Sequence, residues 1–293
     1  MAAPTLEKTL EQQSWLGPVD TAMTAVANVA VPKAHWLQKV RNFLHGTWLG
    51  HPLHAAISDV PVGAFTVSTI LDIVEMTTGR KDLAPGADAA LVIGLAGSAS
   101  AAITGLNDWQ HVDNPARRLG ILHAAINGSG SSLFLASLVM RRRGHRPAAQ
   151  ALGMLGFGAV MAGAWFGGRM VFRDKVGVDH SRREDLPTHF VDVLDDADLK
   201  PDRPRRVEAD GAAIVLVRRE GRIFALANAC SHAGGPLAEG ELEGNSLRCP
   251  WHGSRFCLET GRVLDGPATI AQPPLETRVR NGRIEVRMPP QQA

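Results

Sequence analysis

The stretches CSHAGGPL at 230–237 and CPWHGSRFCLETG at 249–261 determine how the C-terminal half of this 293-residue chain is interpreted. Each stretch begins with a cysteine and has a histidine two or three positions later. Sixteen residues separate His232 from Cys249, so each of two loops offers one thiol and one imidazole. Thiolate and imidazole are side chains that hold iron and zinc in proteins. The pattern predicts a metal centre with the ligands Cys230, His232, Cys249 and His252.

Two kinds of metal centre use these side chains. In a Rieske 2Fe-2S centre two cysteines hold one iron and two histidines hold the other, and the imidazoles raise the reduction potential. A structural zinc site is the alternative, although such sites more often show paired C-x-x-C motifs. Gly234, Gly235 and Gly253 favour the iron–sulfur centre, because glycines let backbone N–H groups approach sulfide. The Ser254 hydroxyl could donate a further hydrogen bond that tunes the potential.

Short segments rich in β-branched and apolar residues surround these loops. AAIVLVRR at 212–219, GRIFALAN at 221–228 and GRIEVRMP at 282–289 alternate in polarity and are separated by glycines. Alternation over four to eight residues, bounded by turn residues, is typical of β-strands and hairpins. The C-terminal half is therefore predicted to be all-β.

Residues 188–290 resemble Rieske ferredoxins and the Rieske domains of ring-hydroxylating oxygenases, through the two stretches that contain the cysteines and histidines. The resemblance implies that Cys230 and Cys249 bind one iron and that His232 and His252 bind the other. It also implies a small antiparallel β-sandwich with a Rieske-type 2Fe-2S cluster at its tip. A protein of this kind is expected to transfer electrons.

Some positions depart from the Rieske subunits of quinol-oxidising respiratory complexes. Those subunits have an extra cysteine in each cluster loop, whereas Trp251 stands in the second loop here, so no disulfide is expected. They also have a tyrosine where this chain has Phe256. One hydrogen bond to the cluster is thus expected to be absent, which predicts a potential nearer the ferredoxin type, with Ser254 holding it somewhat higher. Cys257 is expected to be a buried packing thiol.

The N-terminal half contains long runs without charged residues, at 89–107, 119–140 and 147–168. Each is close to the roughly 20 residues that cross a bilayer as a helix. A weaker run at about 53–77 contains Asp59, Asp72 and Glu75, which would have to face the bundle interior or the headgroups. Four spans are predicted, with small residues allowing close helix contact. A soluble bundle rich in glycine and alanine is the alternative.

The fold class is thus expected to be multi-domain α plus β, with a four-helix transmembrane bundle followed by the Rieske sandwich. Expected boundaries are a surface or amphipathic segment at 1–48, the four-span domain at 49–175, a linker at 176–187 and the Rieske domain at 188–290. Trp48 and Trp109 are expected in an aromatic belt at one membrane face.

The stretch GTWLGHPLHAAISDVPVGAF at 46–65, with TGLNDW and LHAAIN further on, resembles an uncharacterised four-span membrane family recognised by a doubled His-Pro start. Here the second pair is His54-Ala55. Ionisable groups clustered at membrane depth are candidates for function. The candidates for a second site are His51, His54, Asp108 and His123.

Three interpretations of these histidines remain open. They could cap helices and form interfacial hydrogen bonds, with Asp108 paired to Arg118. They could form a metal or b-type haem site, with His54 and His123 as axial ligands. They could also line a quinone-headgroup pocket in which a histidine exchanges the quinol proton.

Composition narrows the functional class and the location. The net charge of +2 does not favour nucleic-acid binding. The sequence shows no secretory or twin-arginine signal, and Lys and Arg near the span ends are more numerous on the side of both termini. We therefore expect an integral membrane protein with four spans, whose termini and Rieske domain are cytoplasmic.

Since the chain ends 41 residues after His252, without the catalytic domain of an oxygenase, we expect an electron-transfer component rather than a self-sufficient enzyme. Expected partners are membrane lipid and either a reductase or oxygenase component or quinone. The alternatives are a redox-sensing or structural membrane module, or a quinone- or haem-linked oxidoreductase subunit.

Overall fold

The computed structural model describes residues 13–31, 35–113 and 116–290. They form two compact units. The first contains Leu53–Val176 together with the described residues before position 32, and the second contains His35–Pro52 together with the chain from Gly177 onward. The α-helices of the described residues are α1 (Leu16–Ala30), α2 (Gln38–His45), α3 (Leu53–Ile57), α4 (Asp59–Thr78), α5 (Ala84–Trp109), α6 (Ala116–Arg142) and α7 (Arg146–Phe172).

The first unit is a helical bundle. It contains four segments long and apolar enough to cross a membrane: Leu53–Thr78, Lys81–Trp109, Ala116–Arg142 and Arg146–Phe172. They coincide with the predicted runs, including the weaker first one. Glycines lie at the helix contacts, since a Cβ atom on Gly130 of α6 would lie 3.0 Å from the carbonyl oxygen of Gly156 in α7. This close approach is the role that the sequence assigns to the small residues.

Two acidic residues of the first span, Asp72 and Glu75, are buried in the bundle, which spares them the cost of a charge in lipid, whereas Asp59 at the start of α4 is exposed. Asp72 is buried against the guanidinium of Arg141, and Glu75 pairs with Arg146 at 2.6 Å. Asp88 accepts from both guanidinium groups, at 2.6 Å from Arg141 and 2.9 Å from Arg146. Two arginines, Arg141 and Arg146, thus neutralise carboxylates of neighbouring helices.

Trp109 differs from the expected aromatic belt. Its ring is buried in an apolar cluster with Leu16 and Leu119, and the guanidinium of Arg117 lies 3.8 Å from the ring centre. Arg117 also binds Asp20 of α1 at 2.9 Å. Trp109 therefore fixes α1 against the bundle, because packing inside the protein satisfies its ring better than the headgroup region.

The second unit contains two antiparallel sheets, as the sequence predicts. The larger has the order β1-β10-β9-β4-β3-β2 and the smaller the order β5-β6-β7-β8. The strands are β1 (Val191–Asp195), β2 (Arg205–Ala209), β3 (Ala212–Arg219), β4 (Arg222–Ala227), β5 (Glu241–Glu243), β6 (Ser246–Arg248), β7 (Arg255–Cys257), β8 (Val263–Asp265), β9 (Pro274–Arg280) and β10 (Arg283–Arg287). Alternate residues of β3 enter two apolar clusters, with Ile214 in one and Val215 in the other. Strand β3 is therefore buried on both faces.

Helix α2 belongs to this second unit, although the sequence assigns residues 1–48 to a separate surface segment. Residues 1–12 and 32–34 of that segment lie outside the described part. The Asn42 side chain donates to the carbonyl of Leu264 at 3.2 Å and to Asp265 at 3.1 Å, and accepts from the N–H of Gly266 at 3.0 Å. No local sequence pattern signals these bonds, because they join residues more than 220 positions apart.

Candidate metal centre

Two loops of the second unit carry the candidate ligands. The first loop follows β4 and contains Cys230 and His232, and the second joins β6 to β7 and contains Cys249 and His252. The flanking strands belong to different sheets, and the two loops bring the four side chains together at one end of the domain. The ring centres of His232 and His252 are 4.9 Å apart with an edge-to-face geometry, and the thiols of Cys230 and Cys249 are hydrogen-bonded to each other.

The two loops share one hydrogen-bond pattern. The N–H of Cys230 donates to Gly235 at 2.8 Å and its carbonyl accepts from Gly234 at 2.7 Å. The second loop repeats these bonds, from Cys249 to Ser254 at 2.8 Å and from Gly253 to Cys249 at 3.1 Å. Gly234 and Gly253 have φ of +79° and +77°, a backbone conformation that favours glycine. These two loops therefore present their cysteines in equivalent ways.

Backbone N–H groups also surround each sulfur. Those of His232 and Ala233 donate to the Cys230 sulfur, and those of Trp251 and His252 donate to the Cys249 sulfur. A Cβ atom on Gly235 would lie 2.9 Å from the Cys249 sulfur, so only glycine allows this approach. Such N–H groups stabilise negative charge on sulfur, whether a thiolate or a cluster sulfide. The arrangement fits an anionic iron–sulfur group.

The protonation states of the thiols differ. The hydrogen bond between them lowers the pKa of Cys249 to about 7, although burial opposes ionisation. The same bond, together with burial, raises the pKa of Cys230 well above its ordinary value. One thiolate is thus available near neutral pH, and the second proton must leave when metal binds.

The imidazole of His232 is held neutral. Burial, together with the positive charges that His252, His45 and His180 would carry, lowers its pKa to about 3. A neutral imidazole keeps the lone pair with which it binds a metal. The His232 ring is therefore ready for coordination throughout the physiological pH range.

The donor set fits a two-iron group better than a single ion. Within the described part of the chain, no three His, Cys, Asp or Glu side chains form a group that could hold one metal ion. A structural zinc site needs four ligands on one ion. The geometry instead offers a thiol pair and an imidazole pair, as a Rieske centre requires, because each iron takes two protein ligands.

Gln272 positions the first loop and was missed by the sequence analysis. Its side chain is fully buried, donates to the carbonyls of Ala227 and Ala229 at 2.7 Å each, and accepts from the N–H of Ser231 at 2.9 Å. Arg248 supports the second loop by donating to the Gly253 carbonyl at 2.9 Å. Neither residue has a sequence signal, since each acts through contacts with backbone atoms of the loops.

Ser254 and Phe256, the residues expected to influence the reduction potential, lie in or directly after the second loop. The buried Ser254 oxygen accepts from the N–H of Ala268 at 2.9 Å, so the hydroxyl proton remains to be donated. Phe256 is buried in the core of the domain. Cys257 is only partly buried, in contrast to the expected buried thiol, because β7 is short and ends there.

The structure brings together two of the four candidates for a second site. The ring centres of His54 and His123 are 6.1 Å apart, and each Nδ1 donates to a backbone carbonyl at 2.9 Å, of Ala101 and Gly163 respectively. His51 is exposed and belongs to the other compact unit.

Asp108 lies in the last turn of α5. No third His, Cys, Asp or Glu within the described ranges joins His54 and His123 in a metal-binding group. The second site, as the structure describes it, is therefore an imidazole pair.

Comparison with known families agrees with the two-part organisation. Residues 189–277 match the Rieske [2Fe-2S] domain, and residues 50–180 match the family described as Predicted membrane protein (DUF2231). These spans correspond to the β unit and to the helical bundle.

Individual relatives match the β unit. Ferredoxin CarAc of Metapseudomonas resinovorans is 35% identical over 98 residues, covering 33% of this chain and 92% of that protein. The ferredoxin component of the naphthalene 1,2-dioxygenase/salicylate 5-hydroxylase systems of a Ralstonia species is 34% identical over 82 residues, covering 28% of this chain and 79% of that protein. Mouse apoptosis-inducing factor 3 is 32% identical over 90 residues, covering 31% of this chain but only 15% of the length of that relative.

Proposed function

The chain belongs to the Rieske [2Fe-2S] domain family, and on that premise we propose that it carries single electrons between redox partners at a membrane in which four helices anchor it. The observation that carries the proposal is the pairing in the β unit of two thiols and of two imidazoles 4.9 Å apart. We assign Cys230 and Cys249 to one iron and His232 and His252 to the other.

A bound Rieske cluster supplies the exchange of one electron between ferric and ferrous iron. The residues of this chain hold and tune that group. The N–H donors around both sulfurs stabilise the added negative charge of the reduced form, and the neutral imidazoles keep the potential above that of a centre with four thiolates. Burial of both cysteines keeps water away from the thiolates.

The similarity to ferredoxin components indicates the kind of redox partner that this chain would have. The Ralstonia relative is the ferredoxin component of a dioxygenase/hydroxylase system. By analogy, the electron donor or acceptor of this chain would be a reductase or an oxygenase component. We propose that the four candidate spans anchor this exchange at a membrane, with both termini and the Rieske domain on the cytoplasmic face.

The ligand assignment is tested by His252→Ala in full-length protein purified in detergent. We expect loss of the Rieske signal in the EPR spectrum of the reduced protein, while the protein still sediments with membranes. The matched control is His189→Ala, at an exposed histidine of the same unit, which should keep the signal. An unchanged signal in His252→Ala would contradict the assignment.

An electron carrier and a redox sensor differ in the rates at which the cluster is reduced and reoxidised. The full chain should be reduced by a flavoprotein reductase, or by quinol, and reoxidised within the time of catalytic turnover. Slow equilibration, with a change in partner affinity instead, would favour the sensing module.

A second candidate function concerns the imidazole pair of the bundle, for which we propose contact with a quinone headgroup. Because Nδ1 of His54 and of His123 donates to a backbone carbonyl, each Nε2 is left as an acceptor for a quinol hydroxyl. A haem is disfavoured, since Gly105 and Gly167 bring neighbouring helices against both rings. A Cβ atom on these glycines would lie 2.8 Å and 3.0 Å from the rings, which leaves little space for a macrocycle.

The reduced-minus-oxidised optical spectrum, with a haem assay, tests this second candidate. We expect no haem band, and we expect quinol to reduce the Rieske cluster more slowly in His123→Ala than in the wild type. A haem band lost in His54→Ala or His123→Ala would contradict the quinone assignment, as would an unchanged rate of reduction by quinol.

A further inference from the structure

Helix α2 has its polar and apolar faces reversed relative to an ordinary surface helix. Asn42 and His45 face the β unit, where His45 is only 2% exposed. The other face carries Trp36, from the turn before the helix, and Val40 and Phe43, which are 79%, 52% and 56% exposed. The spacing i, i+4, i+7 places the three side chains on one stripe.

Trp48 extends this apolar stripe. It is 60% exposed, and its ring stacks on that of Phe43 with centres 5.8 Å apart. Two tryptophans, a phenylalanine and a valine thus form a continuous exposed patch, which we call the α2 face. Lys39 is exposed on the same helix. Exposed patches of this kind mark interaction sites, because leaving them in water is unfavourable.

We propose that the α2 face binds the interfacial region of the lipid bilayer and so holds the Rieske unit against the membrane surface. This inference rests on the proposed membrane anchoring. Tryptophan and phenylalanine on one face, with a lysine at its side, is the composition of helices that lie in the membrane interface.

The chain itself brings the patch to the membrane. Leu53, the first residue of the first candidate span, follows Trp48 by five residues. Five residues reach at most about 17 Å when fully extended. The α2 face therefore cannot lie far from the bilayer once that span is inserted, whereas a soluble partner or a second copy of the chain has no comparable tether.

The opposite face fastens the helix to the redox unit. Asn42 makes three hydrogen bonds to residues 264–266, and a Cβ atom on Gly266 would lie 2.8 Å from the His45 ring. Seating the α2 face in lipid would therefore fix the orientation of the whole β unit. Redox partners would then approach the β unit from a defined direction, whereas a β unit attached only by a flexible linker would have no fixed orientation.

The first test uses tryptophan fluorescence of the full chain in vesicles that contain brominated lipid, which quenches only rings in the bilayer. We expect Trp36→Phe to lower the lipid-quenched fraction of the emission. The matched control is Trp251→Phe, which removes an exposed tryptophan of the second ligand loop, 55% exposed. This control should instead lower the fraction quenched by aqueous acrylamide.

The second test is the double substitution Val40→Asp/Phe43→Asp, at exposed positions that spare Asn42 and His45. In oriented membrane layers, we expect the EPR signal of the reduced wild type to depend on the angle of the field, and the variant to lose that dependence. Flotation with the vesicles reports membrane insertion separately, so a protein that fails to float contradicts the anchoring itself.

A floating protein whose Trp36 is quenched only by acrylamide would overturn the α2 proposal alone. The same holds if single nanodiscs contain pairs of chains that separate in the Asp double variant, since the face would then bind a second copy.

Discussion

The Ser254 hydroxyl links the second ligand loop to the segment around Ala268. Its oxygen accepts the Ala268 N–H, which leaves its proton for the proposed bond to the cluster. We expect Ser254→Ala to lower the midpoint potential by about 60 mV, which corresponds to one hydrogen bond of ~1.4 kcal/mol for a one-electron couple. Protein-film voltammetry would measure it. Thr260→Ala removes an exposed hydroxyl of the same domain and should leave the potential unchanged.

Gln272 holds the backbone of the first loop in place through three hydrogen bonds. Gln272→Ala would leave one N–H and two carbonyls of buried backbone without their partner, which costs about 3 kcal/mol in total. We expect the temperature at which the visible absorbance of the cluster is lost to fall by roughly 10 °C. Arg280→Ala, at an exposed position of β9, is the control. If the two variants lose the cluster absorbance at the same temperature, the conformation of the first loop does not depend on Gln272.

Among the elements of the bundle, ion pairs join neighbouring helices. The charged residues that form them lower the mean hydropathy of the candidate spans. Arg141 of α6 pairs with Asp72 of α4 and Asp88 of α5. Because an unpaired buried carboxylate is more costly than the pair, the ion network makes the arrangement of these three helices specific. The network and the imidazole pair both depend on contacts between helices that are distant in sequence.

We expect Arg141→Ala to destabilise the bundle by about 3 kcal/mol, because the buried Asp72 then keeps only its 3.4 Å contact with Arg146. Unfolding in a series of denaturing detergent mixtures, followed by circular dichroism, would measure the loss. Arg142→Ala removes the neighbouring exposed guanidinium and should have little effect. If the two variants unfold alike, the network contributes no specific stability.

At the scale of the whole molecule, two units with separate cores carry separate tasks. The bundle has its own apolar clusters around Phe65 and Trp109, and the β unit has clusters around Ile214 and Val215. Each core is formed within its own unit. A substitution in one unit should therefore leave the fold and the cofactor content of the other unit unchanged.

Because the two units have separate cores, we expect His123→Ala to keep the full intensity of the Rieske EPR signal per protein. This expectation holds for every function considered for the imidazole pair. Conversely, Cys249→Ser should abolish the signal without releasing the protein from the membrane. Spin quantification and membrane flotation on the same preparations check both statements. A cluster lost in His123→Ala would mean that the division into two units is incorrect.

The two-part organisation, the four candidate spans and the Rieske family of the β half can all be predicted from local patterns in the sequence. They can be predicted because they depend on short-range patterns, namely Cys-x-His and Cys-x-x-His in the two ligand loops and charge-free runs of bilayer length. The assignment of Cys230, His232, Cys249 and His252 follows from the same pattern.

The residues that support that site become apparent only when the chain is folded. Gln272 and Asn42 act through bonds to backbone that lies up to 224 positions away, and such bonds leave no periodicity to detect. The structure also assigns His51 and His54 to different compact units and buries Trp109, since membership of a core depends on how elements pack. Helix α2 shows the difference most directly. Its apolar stripe is visible in the sequence, but its polar face is explained by the β unit to which it is bound.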